Sequence, residues 1–259
     1  MRAGLLSLLF PPKCPSCGKL LEFQGFGKVG SGLCEDCKKR WNSELLDTCG
    51  VCGKTVKDCE CMPEELRRAK CAGFRKRVYY LHGTRQAVQN RILFRIKDHP
   101  AVGAIEFLTE ELEETLTALM KEAEIRPVSA VLVYLPRSRR SAAISGTDQG
   151  KRLAYGLSQR TGIPVAEVIR RRRGRERQQK HLNYSMRRKN AKETYTVSKN
   201  VSLKGKTVIL IDDIVTTGST MAAGARLLRE IGAERVYALS VAVDDHQKNG
   251  NIRQPTFKI

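Results

Sequence analysis

Asp212 and Asp213 are followed, after two apolar residues, by Thr216, Thr217, Gly218, Ser219 and Thr220. Paired carboxylates accept hydrogen bonds from sugar hydroxyls or help position a divalent ion such as Mg²⁺. A small hydroxyl-rich turn ahead of a helix offers backbone N–H groups and threonine hydroxyls to a phosphate, and the helix dipole favours its charge. The two features together suit a sugar carrying a 5′-phosphate. A plainer alternative is an α/β turn with an acidic strand end and a Ser/Thr cap. A cap needs one hydroxyl, however, not four around a glycine.

A second set of residues has metal-ligand spacing. Cys14-x2-Cys17 and Cys34-x2-Cys37 are sixteen residues apart, as in four-thiolate zinc sites, and Gly18 follows the first pair. Cys49-x2-Cys52 with Cys59 and Cys61 forms a second set whose last pair has a single spacer. One or two structural Zn²⁺ ions are expected. Sequential and crossed pairings both stay open, as does completion of the second site by His or water. Cys71 is left over as a buried free thiol. Close Cys-x-x-Cys pairs argue against a secreted disulfide framework. The N-terminal apolar run has no small-residue cleavage site, and no stretch is long enough to span a membrane, so a cytoplasmic protein is expected.

These residues need a frame to hold them. Thr207 and the run 208–211 read as a strand buried on both faces, ending at the acidic pair, with a helix over 219–231 behind it. Strands are expected at 130–135, 164–168 and 235–243, and a helix over 149–160 stopped by Gly162. Leucines at three- and four-residue spacing over 105–119 give an amphipathic helix with a solvated acidic face. This alternation predicts an α/β fold, a mostly parallel sheet flanked by helices. Ligands of such sheets sit at the carboxyl ends of the strands. Asp212 and Pro136 fall there, so Arg137, Arg139 and Arg140 are candidate partners for a pyrophosphate. The chain divides into a cysteine module (1–65), a basic connecting segment (66–100), the α/β domain (101–245) and a tail (246–259).

The net charge of +20 exceeds what phosphate substrates require and predicts a polyanionic partner. Residues 170–189 hold ten Arg or Lys and one acid, Arg187 and Arg188 among them. That stretch reads as an anion-binding loop for pyrophosphate or the phosphates of single-stranded nucleic acid.

Residues 208–220 resemble the PRPP (5-phosphoribosyl 1-pyrophosphate) motif of type I phosphoribosyltransferases, two acids followed by Thr-Thr-Gly-Ser/Thr-Thr. The whole order, cysteine module then transferase-like domain, resembles the ComF family of competence-related proteins. The resemblance also rests on Leu135–Arg140, on Gly146-Thr147-Asp148-Gln149, and on Gln179, Leu182 and Arg187-Arg188-Lys189-Asn190. The family pattern has Phe and Asn where this chain has Thr147 and Asp148. The resemblance implies a double zinc ribbon, a type I phosphoribosyltransferase-like domain taking PRPP with Mg²⁺, and a cytoplasmic role in handling incoming single-stranded DNA during natural transformation. The alternatives are an active phosphoribosyltransferase on a base or amine, with Asp212 and Asp213 catalytic, and a PRPP-sensing adaptor that recruits a partner such as a DNA-import helicase.

Overall fold

The structure, a computed structural model, describes residues 11–21, 32–98, 102–138, 143, 146–172, 194–198 and 201–244. Its elements run α1 (Glu35–Leu45), α2 (Glu64–Arg68), β1 (Gly73–Tyr80), α3 (Val88–Asp98), α4 (Val102–Glu122), a 3-10 turn (Pro127–Ser129) and β2 (Ala130–Tyr134). They continue with α5 (Gln149–Thr161), β3 (Ile169–Arg171), β4 (Tyr195–Val197), β5 (Thr207–Val215), α6 (Ser219–Glu230) and β6 (Arg235–Asp244). Four strands form an all-parallel sheet in the order β1-β6-β5-β2, and β3 pairs antiparallel with β4.

The sheet is buried on both faces, which is why β5 reads as a continuous apolar run. Alternate residues separate the two cores. Ile209 and Ile211 point to a layer containing α3, α4 and α5, whereas Val208 and Leu210 point to α6. The cysteine module straddles the sheet in the same way. Trp41 of α1, Cys14 and Cys37 join the first core, and Val56, with Leu66 just beyond the module, joins the second.

Three sequence expectations are corrected. Segment 66–100 is no mere connector, because its β1 is an edge strand of the main sheet, in register with β6 from Gly73–Tyr237 to Tyr80–Asp244. The basic residues of β1 are buried and internally paired: Arg77 with Glu111 (2.6 Å) and Glu114 (2.5 Å), Arg75 with Glu122 and Glu60. The acidic face of α4 is therefore partly an ion-pair surface rather than only a solvated one. Around 164–168 a single parallel bridge, Leu132–Val165, replaces the expected strand, and the true strand follows at β3. Pro164, which has no N–H to donate, accepts from Leu132 N at 2.9 Å.

Candidate functional site

β5 does not stop at the acidic pair. It carries Asp212 and Asp213 within the strand and ends at Val215, and the pairings Asp212–Ser240 and Ile214–Ala242 with β6 fix the backbone that bears them. Asp213 N donates to Asp212 Oδ1 (3.0 Å) and Ile214 N to Asp213 Oδ1 (2.8 Å). Burial, then the neighbouring Asp213 charge, raises the Asp212 carboxyl well above the ordinary range, with Lys97 opposing. Lys97 Nζ, at the end of α3, lies 3.9 Å from Asp213 Oδ2. Sequence reasoning missed Lys97: the amphipathic pattern assigns Ile92 and Ile96 to the core but cannot say which strand end a lysine will reach.

The turn follows at once. Gly218 adopts φ +78° and caps α6 without any side-chain bond. Thr217 Oγ1 donates to Ser219 Oγ (2.9 Å) and accepts from Ser219 N (3.3 Å), which folds the two hydroxyls around the glycine. Asp212, Ile214 and residues 215–221 surround a hollow of about 40 Å³. A strand end, the Asp212 carboxylate, hydroxyls and a helix N-terminus thus meet in one concavity, with the chemistry of a sugar-phosphate cradle.

Arg137 lies just past β2, the strand next to β5. Its backbone N donates to Asp148 Oδ2 (3.0 Å), while Asp148 Oδ1 caps α5 through Lys151 N (3.1 Å). Asp148 therefore fixes the turn on which Arg137 sits. Arg139, Arg140, Arg187 and Arg188, and the element Gln179 to Asn190, lie outside the described residues. At the far side of the same sheet edge, His82 Nε2 meets the buried Asp244 Oδ2 at 2.5 Å.

The eight paired cysteines gather as the sequence order implies. Cys14, Cys17, Cys34 and Cys37 form one cluster and Cys49, Cys52, Cys59 and Cys61 another, the sulfurs of each within 4.8 Å of one another. The two knuckles are alike: Gly18 N donates to Cys14 O (2.9 Å) and Gly53 N to Cys49 O (2.8 Å), with both glycines at positive φ. Burial raises the Cys49 thiol, but the N–H groups of Cys52 and Val51 outweigh it and lower it to about 6. Cys14 is brought to about 7 in the same way. Four sulfurs at this separation, one in each cluster easily ionised, fit a tetrahedral zinc site, and both clusters could hold one ion. Cys71 is half-buried, and burial pushes its thiol up to about 11.

Among the described residues no helix is long and apolar enough to cross a membrane. The phosphoribosyl transferase domain family matches residues 147–259. A ribose-phosphate pyrophosphokinase from Nostoc sp. is 64% identical over 36 residues, 14% of this chain, and the match spans 11% of that enzyme's length. The competence protein ComFC of Bacillus subtilis is 23% identical over 79% of this chain and 81% of its own. Competence protein F of Haemophilus influenzae is 28% identical over 82% of this chain and 90% of its own. With two four-cysteine clusters ahead of the segment that matches the phosphoribosyl transferase domain family, the chain is similar to both competence proteins over about four fifths of its length.

Proposed function

We propose that this protein binds PRPP or a related 5′-phosphoribosyl ligand with Mg²⁺, and that it serves in cytoplasmic handling or uptake of single-stranded DNA. The observation that carries the ligand reading is the hollow where Asp212 and the 216–221 turn meet at the head of α6. Thr216, Thr217, Gly218, Ser219 and Thr220 hold the 5′-phosphate, and Asp212 and Asp213 accept hydrogen bonds from the ribose hydroxyls. Arg137, with Arg139 and Arg140, takes the pyrophosphate, and Mg²⁺ bound with the ligand neutralises part of its charge. Support for the DNA role comes from the net charge of +20 and from the likeness to two competence proteins. Arg187, Arg188 and the rest of the 170–189 stretch are the proposed backbone contacts.

A second reading, turnover, is favoured by Lys97 beside Asp213. Breaking the C1–O bond to pyrophosphate leaves positive charge on the ribose, which the carboxylates stabilise, while Lys97 and Arg137 stabilise the departing anion. A base or amine then attacks C1.

Two titrations test the proposal. Mg·PRPP binds the wild type and binding is lost in Asp213→Ala; equal affinity in both would refute the site. Single-stranded oligonucleotide binding weakens steeply with salt, and a salt-independent affinity would remove the DNA role. Pyrophosphate release that depends on an added base or amine separates turnover from binding, and its absence across a panel would exclude it.

A further inference from the structure

The second cysteine cluster lies between two parts of the α/β domain. On one side is Lys76 of β1, only 1% exposed. Its ammonium donates to Cys59 O (2.9 Å), Cys59 Sγ (2.9 Å) and Cys61 O (3.0 Å). A buried ammonium requires a negative partner, and a zinc ion held by four thiolates carries net charge −2. The lysine therefore fits a metal-loaded cluster and ties it to the sheet.

On the other side the segment that follows Cys61 packs against the phosphate turn. Pro63 and Leu66 press on Gly218: a Cβ placed there would lie 2.9 Å from Pro63 Cβ and 3.4 Å from Leu66 Cγ. Glu65, buried on α2, faces Arg226 of α6 at 3.9 Å. The glycine is thus required twice, by its φ of +78° and by the segment packed against it.

The first cluster has a weaker route to the site. Arg95 Nη1 reaches Cys14 O at the limit of a hydrogen bond, 3.5 Å, and Lys97 on the same helix stands 3.9 Å from Asp213. The three atoms nearest a Cβ at Gly218 all belong to Pro63 and Leu66, which follow the second cluster.

We infer that Lys76 and the Pro63–Leu66 turn are positioning residues for the phosphate loop, acting through the second cysteine cluster, so that metal at this cluster and ligand in the loop strengthen each other. The inference rests on the PRPP reading for its ligand but not for its mechanical link. Coupling between two sites is reciprocal in affinity. The loop holds the ligand well only while Pro63 is held in place, and Pro63 is held by a cluster two residues away.

The test uses the full-length, zinc-loaded protein and compares Cys52→Ser, Cys17→Ser and Lys76→Met. Zinc content is read by metal analysis, Mg·PRPP affinity by calorimetry, and exposure of residues 216–222 by amide exchange. Cys52→Ser is expected to lose one zinc and weaken PRPP by about tenfold or more. Cys17→Ser also loses one zinc yet keeps PRPP within about twofold. Lys76→Met lowers zinc affinity at the second cluster by about 10–100-fold and speeds exchange over 216–222. If a cysteine variant fails to fold, the wild type still decides: zinc release to a chelator has two phases, and Mg·PRPP slows one of them. Equal effects from both clusters, or zinc release indifferent to bound PRPP, would overturn the inference. Should the wild type bind no PRPP, the ligand reading falls. Faster exchange at 216–222 on chelation would then retain the mechanical link, and unchanged exchange would end it.

Discussion

The two halves of the cysteine module are built from the same local chemistry and engage different parts of the protein. Each has a knuckle closed by a glycine N–H onto the first cysteine's carbonyl. The first half buries Trp41 against Phe107, edge-on at 5.0 Å, and anchors its indole N–H on Glu111 (2.8 Å). It is a packing device on the α4 face of the sheet. The second half buries little of comparable size but holds Lys76 and leads into the turn beneath Gly218. Equivalent metal sites thus acquire different consequences from the residues just outside them.

Stripping zinc from both clusters should have the largest effect, because so small a module owes its fold to metal. The expected result is loss of ordered structure over residues 11–21 and 32–62, measured by amide exchange; a protected apo module would contradict it. Trp41→Ala comes next, at about 3–5 kcal/mol, with Mg·PRPP affinity unchanged at temperatures where the variant is folded. A matching loss of affinity would erase the contrast between the halves. Gly218→Val attacks the contact from the loop side. Left-handed backbone at a branched residue costs about 1–2 kcal/mol, and overpacking against Pro63 adds about 1–3 kcal/mol. Both stability and PRPP binding should fall, and preserved binding would show that the turn does not grip the ligand.

The smallest effect carries a sign. Because burial and Asp213 raise the Asp212 carboxyl, the unfolded chain ionises at a lower pH than the native site does. Native stability is therefore lost as pH climbs from the ordinary carboxylate range through the raised value. Asp212→Asn removes that loss while keeping an acceptor for Asp213 N. At pH 7 the variant should melt about 2–4 °C above wild type for each kcal/mol relieved. The gap should close once the pH is low enough to protonate the carboxyl in both states. PRPP affinity should drop in the same variant, and a variant that melts lower at pH 7 would contradict the assignment.

Sequence reasoning works here where one physical effect dominates. The apolar run of β5, the Cys-x-x-Cys spacing and the hydroxyl turn each have a single strong cause, and the structure assembles them as the pattern implies. β1 was hidden because Arg75, Lys76 and Arg77 are charged yet nearly buried, paired with α4, Glu60 and a cysteine carbonyl that no local pattern announces. The end of β5 was placed too early for the opposite reason. Carboxylates disfavour strands on average, but ladder pairing with β6 carries the strand past them. Asp148 departs from the family's residue and still caps α5, since capping asks only for an acceptor at that place.

The most direct test of the account is a calorimetric titration of Mg·PRPP into the full-length zinc-loaded protein, repeated with Asp213→Ala. Saturable binding at one site per chain, abolished by the substitution, is the predicted result. No saturable heat from the wild type, or an isotherm unchanged by the substitution, would contradict the claim that the acidic pair and the turn after it form a phosphoribosyl site.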